Sequence, residues 1–200
     1  VIGGNLKADA GQIFHAGADI TKTTEEQRTT FLARVFQDPK LGTAPRMTVA
    51  ENMLLASKRG EKRHLMPRRL KQRMAEFTKL AAQMNNGLEN RMTTPTGALS
   101  GGQRQALSFL MATLKRPDIL LLDEHTAALD PHTARNLLHA TNQRITEDHL
   151  TALMITHHME DALKYGNRLI VLKDGQIKAD YNAAEKAQLT VDDLYAYFEM

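Results

Sequence analysis

Two acidic residues, Asp123 and Glu124, stand directly behind Ile119-Leu120-Leu121-Leu122, a run of four aliphatic residues. Such a run reads as a strand covered on both faces, as strands of parallel sheets are. Ligands of those sheets sit outside the carboxyl ends of the strands. Carboxylates emerging at such a place are costly unless a cation offsets them. A magnesium ion at Asp123 would do so, with Glu124 placed to orient or deprotonate a water. The plainer alternatives are a structural salt bridge, or two acidic residues that merely open a loop.

Leu99-Ser100-Gly101-Gly102-Gln103 is the second chemical cluster. A serine and two glycines at the start of a helix leave backbone N–H groups open at the positive end of the dipole, which suits an anion. The same residues also make an ordinary serine-capped helix after a glycine turn. The third cluster, Val1-Ile2-Gly3-Gly4-Asn5, reads as a strand entering a glycine turn. A phosphate-binding loop, G-x-x-x-x-G-K-[ST], begins in this way. Here Leu6-Lys7-Ala8-Asp9 follows instead, and no glycine of the chain precedes a lysine.

The elements that must position these residues change in texture along the chain. Residues 1–36 are short apolar pieces broken by glycines, with a strand expected at Gln12–His15. Residues 47–92 read as helical, with Thr48 as N-cap of a first helix and an amphipathic stretch from Arg68 to Met84. From Ser100 the pattern alternates. A helix runs until Pro117 forbids it, the strand Ile119–Leu122 follows, and a helix covers Thr133–Thr146. Then come a strand Leu150–Ile155, a short helix at Glu160–Lys164, a strand Arg168–Leu172, an Asp174-Gly175 hairpin and a final helix capped near Thr190. Strands alternating with helices predict an α/β fold with a mainly parallel sheet.

The bulk numbers exclude several classes. Two hundred residues, 42% hydrophobic and 24% charged, describe an ordinary globular chain. The longest aliphatic run is far short of a membrane span, and no signal peptide is visible. The absence of cysteine removes any disulfide framework. A net charge of +3 is mild, and much of it lies between Lys58 and Arg73, read as a solvated helical face in preference to a contact with nucleic acid or anionic lipid.

Taken in order, Gln37, Leu99 to Gln103, Ile119 to Glu124, Ala128-Leu129-Asp130 and Thr156-His157 resemble the nucleotide-binding subunit of the ATP-binding-cassette (ABC) family. The resemblance covers nearly the whole chain and implies a P-loop NTPase-like core with an inserted helical lobe and some antiparallel strands. The RecA-like ATP-binding core would comprise residues 1–46 and 93–200. The helical lobe would be 47–92, extending into the signature helix at 99–116.

It implies ATP and Mg²⁺ as cofactors. Asp123 and Gln37 would serve the metal, Glu124 would be the catalytic carboxylate, and His157 the switch histidine at the γ-phosphate. Ser100, Gly101, Gly102 and Gln103 would bind ATP held by a second copy in a head-to-tail dimer, and Asp130 would communicate between the two sites. Gly3, Gly4 and Asn5 would be the first residues of the phosphate loop. A transmembrane permease and an extracytoplasmic solute-binding protein are the implied partners, with no nucleic acid, and the cytoplasmic face of the membrane is the implied location.

Val35-Phe36-Gln37-Asp38-Pro39, Met47 to Asn52 and Asp123 to Pro131 look closer still to the ATPases of bacterial small-solute uptake systems of tryptophan or tyrosine type. DNA-repair ATPases of the same family insert coiled coils or zinc modules. The stretch between Gln37 and Leu99 has neither sustained heptads nor cysteine.

Against this family pattern the loop and its helix are missing between Asn5 and Leu6. The expectation is a break in the chain at that junction, with the first strands and an adenine-stacking aromatic lying upstream of Val1. An intact peptide there would mean that the lysine is absent, and would favour an inactive or regulatory cassette.

Overall fold

The computed structural model describes residues 1–61 and 69–198. The chain divides into two units, Val1–Met154 and Ile155–Met200.

The larger unit opens with a hairpin of β1 (Phe14–His15) and β2 (Ala18–Asp19), followed by α1 (Glu25–Arg28) and β3 (Leu32–Val35). A 3₁₀ turn at Pro39–Gly42 leads to α2 (Val49–Ala56) and α3 (Leu70–Ala82). Then come α4 (Gly101–Thr113), β4 (Ile119–Asp123), α5 (Pro131–Glu147) and β5 (Thr151–Ile155). The sheet order is β3-β4-β5. β3 and β4 run parallel with Leu32 opposite Ile119 and Val35 opposite Leu122, so the ends of both strands open on one edge.

The core is continuous from sheet to helices. Val35, Leu120 and Leu122 of the strands are buried together with Val49, Met53, Phe77, Leu107 and Phe109 of α2, α3 and α4. Burial of this apolar surface, at about 25 cal/mol per Å², fixes where the strand ends point. Thr48 and Glu51 form a reciprocal capping box that starts α2. Asn52, fully buried, ties the approach to that helix. Its Oδ1 accepts from Ala44 N at 2.8 Å, and its Nδ2 donates to the carbonyls of Ala44, Met47 and Thr48.

In the smaller unit, α6 (Met159–Lys164) precedes an antiparallel pair, β6 (Leu169–Lys173) and β7 (Gln176–Tyr181). Their turn has Asp174 and Gly175 at φ 54° and 72°, the left-handed pair that a type I′ hairpin needs. Two short helices follow, α7 (Ala183–Lys186) and α8 (Val191–Tyr195), the second capped by Thr190 and packed on α6. The buried Lys186 donates to the carbonyls of Tyr165 and Gly166.

The expected α/β class and the main elements from Ser100 onward are found, with differences in detail. Val1–Asn5 is a turn and bend, not a strand. β3 was not foreseen, because Arg34 interrupts the apolar pattern of Leu32-Ala33-Arg34-Val35. α5 begins at Pro131, ahead of Thr133, since Asp130 caps it and proline is suited to the first helical position.

Part of the basic stretch, 62–68, lies outside the described residues, as does the expected helix start at Arg68. Of the rest, Arg59 closes the end of α4 by donating to the carbonyls of Ala112 and Lys115. Lys58 and Lys115 share Glu61, and Arg73 pairs with Glu76.

Candidate functional site

Two residues at the ends of neighbouring parallel strands meet although they are 87 positions apart. The Gln37 amide donates to Glu124 Oε2 at 3.0 Å. Gln37 is held there by the signature helix. Gln105, buried on α4, donates from Nε2 to the Phe36 carbonyl at 3.0 Å and fixes the end of β3. Glu124 itself is left-handed, with φ 41°, a conformation costing roughly 1–2 kcal/mol for a residue with a Cβ. Strain of this kind persists where the surroundings over-determine it, often at functional sites. A tight turn follows, with Ala127 N on the Glu124 carbonyl and Leu129 N on that of Thr126.

Asp123, the last residue of β4, is also engaged. Its Oδ2 lies 2.5 Å from Nη2 of Arg34, both side chains being about one-third exposed or less. The guanidinium of Arg34 stacks 4.7 Å above the Phe36 ring. The hydrogen-bonded Gln37 and Glu124 and the Arg34-paired Asp123 thus stand at the ends of the two parallel strands. Carboxylate and amide oxygens are the donor types that a hard divalent cation takes, commonly with one or two protein carboxylates.

The signature segment forms a second wall. Ser100 caps α4 and shares a capping box with Gln103: Ser100 Oγ accepts from Gln103 N at 3.2 Å, and Gln103 Oε1 from Ser100 N at 3.3 Å. Gln103 Nε2 is held by the Asn86 carbonyl at 3.2 Å. Gly102 is required by space. A Cβ there would lie 2.5 Å from Thr133 Cγ2, on the first turn of α5. Asp130 accepts from His132 N at 3.1 Å and Thr133 N at 3.0 Å. Hydrogen bonding from Thr133, first by its side chain and then by its backbone, holds the Asp130 carboxyl below the usual range. Ser100 to Gln103, Leu129 and Asp130 line one cavity of about 400 Å³.

Gly3 lies against β4, where a Cβ on it would stand 4.0 Å from Leu121 Cδ1. Gly4 takes φ 89°, and a side chain on it would strike Glu25 of α1. The buried Arg28, which sequence reasoning did not single out, anchors this segment. Its Nη1 donates to the carbonyls of Val1 at 2.8 Å and Ile2 at 2.7 Å, and its Nη2 to that of Ile20. A buried arginine leaves no periodic trace in a sequence. His157 stacks at a tilt on His158 in the smaller unit, 4.4 Å between ring centres.

His125, next to Glu124, also went unremarked. It is 2% exposed, and its Nε2 has no hydrogen-bond partner among the described residues. Burial holds its imidazole at about 4, against an ordinary 6.5. The unfolded chain takes up this proton where the fold refuses it, so the contribution to stability is complete above pH 6.5 and is lost as the pH falls toward 4. The full difference amounts to about 3 kcal/mol. Urea unfolding at neutral pH and at about pH 4.5 is expected to show that His125→Leu loses less stability across this window than the parent chain. Equal losses would place the acid sensitivity elsewhere.

Comparison with known proteins gives three findings. Residues 1–127 match the family described as ABC transporter. The chain is 41% identical over 199 residues to the Tyrosine transport ATP-binding protein of Clostridioides difficile (strain R20291), covering all of this chain and 79% of that protein. It is 32% identical over 177 residues to the Thiamine import ATP-binding protein ThiQ of Escherichia coli O157:H7, covering 88% of this chain and 71% of the relative. Among solved structures, the ADP conformation of an ATP-binding cassette of an ABC transporter superposes with a TM-score of 0.72 and 26% identity, over 98% of this chain and 80% of its own.

Proposed function

The chain belongs to the ABC transporter family, whose ATP-binding ATPase subunits it matches along its length, and from that premise we propose how its residues divide the work. The supporting observation is the Gln37 to Glu124 hydrogen bond at the paired strand ends, beside Asp123. Asp123 and Gln37 would hold a magnesium ion. When bound, such an ion neutralises phosphate oxygens and orients the terminal phosphoryl group. Glu124 accepts a proton from, or orients, the attacking water, and Gln37 holds that carboxylate in register. His157 supplies a donor to the γ-phosphate.

Ser100 to Gln103 present an N-terminal helix turn, and with Asp130 they line an open cavity. An ATP carried by a second copy would be clamped there, so that two nucleotides close a head-to-tail dimer through charge-assisted hydrogen bonds. Residues 1–46 and 93–200 would form the ATP-binding core and 47–92 the signature lobe, with the segment after Gln37 passing motion to a transmembrane permease. Among the described residues no helix is long and apolar enough to cross a membrane, which agrees with peripheral attachment at the cytoplasmic face through that permease. An extracytoplasmic solute-binding protein would deliver the cargo, a small solute of the kind named for the tyrosine transport relative.

Melting and light scattering test this reading. At about a hundredfold excess over its Kd, ATP is expected to raise stability by about 2.7 kcal/mol and Tm by about 5–10 °C, with the mass moving from monomer to dimer. Unchanged Tm and mass would reject it.

A further inference from the structure

We propose that Arg34 is a resident counter-ion of Asp123, occupying the place of a divalent cation, and that Arg34 thereby sets how tightly this chain binds metal. The inference rests on the assignment of Asp123 to the metal side of the nucleotide site.

Arg34 stands opposite Leu121 in the β3 to β4 register, two residues short of Asp123. Its side chain must run forward along the strand to place Nη2 at 2.5 Å from Asp123 Oδ2. The Phe36 ring under the guanidinium, at 4.7 Å, sets that direction. The pair is partly withdrawn from water, with 27% and 33% of the side chains exposed, so it is less screened than a surface bridge. A magnesium ion demands near-ideal geometry at about 2.0–2.1 Å from its oxygens. A guanidinium nitrogen on Oδ2 takes lone-pair directions that the metal needs and repels its charge.

The sequence adds to this. No glycine precedes a lysine anywhere in the chain, so no loop lysine of that pattern is present to share the site. Arg34 is the cation that the structure sets on this carboxylate. Its release is feasible, because the Phe36 face remains as a second contact that does not involve Asp123.

Melting of the full chain in EDTA, in Mg²⁺ and in Mn²⁺, without nucleotide, tests the proposal, together with Mn²⁺ titration followed by electron paramagnetic resonance. The parent chain is expected to melt alike in EDTA and Mg²⁺. Arg34→Met is expected to melt lower in EDTA, to recover with Mg²⁺, and to bind Mn²⁺ about tenfold tighter or more. Equal Mn²⁺ affinities, or a parent chain that responds to Mg²⁺ as strongly as the variant, would overturn the proposal. Should Arg34→Met fail to fold, Arg34→Gln removes the charge and keeps a polar head beside the Phe36 ring. Mn²⁺ affinity in that variant no higher than in the parent would then overturn the idea, and a raised affinity would uphold it. Adding ATP in EDTA separates the two readings: a Tm that ATP never moves, with or without metal, rejects the nucleotide site itself.

Discussion

Inserting a segment that completes a G-x-G-K-[ST] loop and its helix between Asn5 and Leu6 will raise ATP affinity by about a hundredfold to a thousandfold. A phosphate held by a lysine and by additional backbone N–H groups gains charge-assisted hydrogen bonds of about 1.5–3 kcal/mol each, and two of them suffice for that factor. The insertion site is suited to this. Arg28 holds the carbonyls of Val1 and Ile2, so the entry to the loop stays anchored while the exit is rebuilt. Titration with a fluorescent ATP analogue in EDTA reads the affinity without involving the metal. An unchanged affinity would mean that Gly3, Gly4 and Asn5 are not the opening of a phosphate cradle.

In the same loop-restored chain, Glu124→Gln is expected to lower phosphate release by about 10²–10⁴-fold while leaving ATP affinity within about threefold. The substitution is isosteric and keeps an acceptor for the Gln37 amide, so the strained backbone at φ 41° and the turn behind it keep their setting. The split between unchanged binding and lost turnover separates loss of a base from collapse of the site. Undiminished phosphate release would assign the base to another residue.

How much of this was legible in the sequence depends on what kind of physics wrote each feature. Elements marked by local chemistry could be read: the capping boxes at Thr48 and Ser100, the aliphatic strand before Asp123 and the Asp174-Gly175 turn all act within a few residues. Features that depend on distant partners could not. β3 carries Arg34 in its middle because that side chain serves a residue 89 positions away, and neither strand nor partner shows in a periodicity of two. Arg28 and His125 are polar residues buried by tertiary contacts, one saturated with carbonyls and the other without a partner for Nε2.

Asp130 has one further consequence. The carboxylate expected to carry messages between paired sites is already occupied as the N-cap of a 17-residue helix. Any reach toward a neighbouring subunit withdraws it from His132 and Thr133 and unwinds the first turn, at about 1 kcal/mol. In such a dimer that small restoring force would act as a return spring, resetting the start of α5 once the neighbour let go.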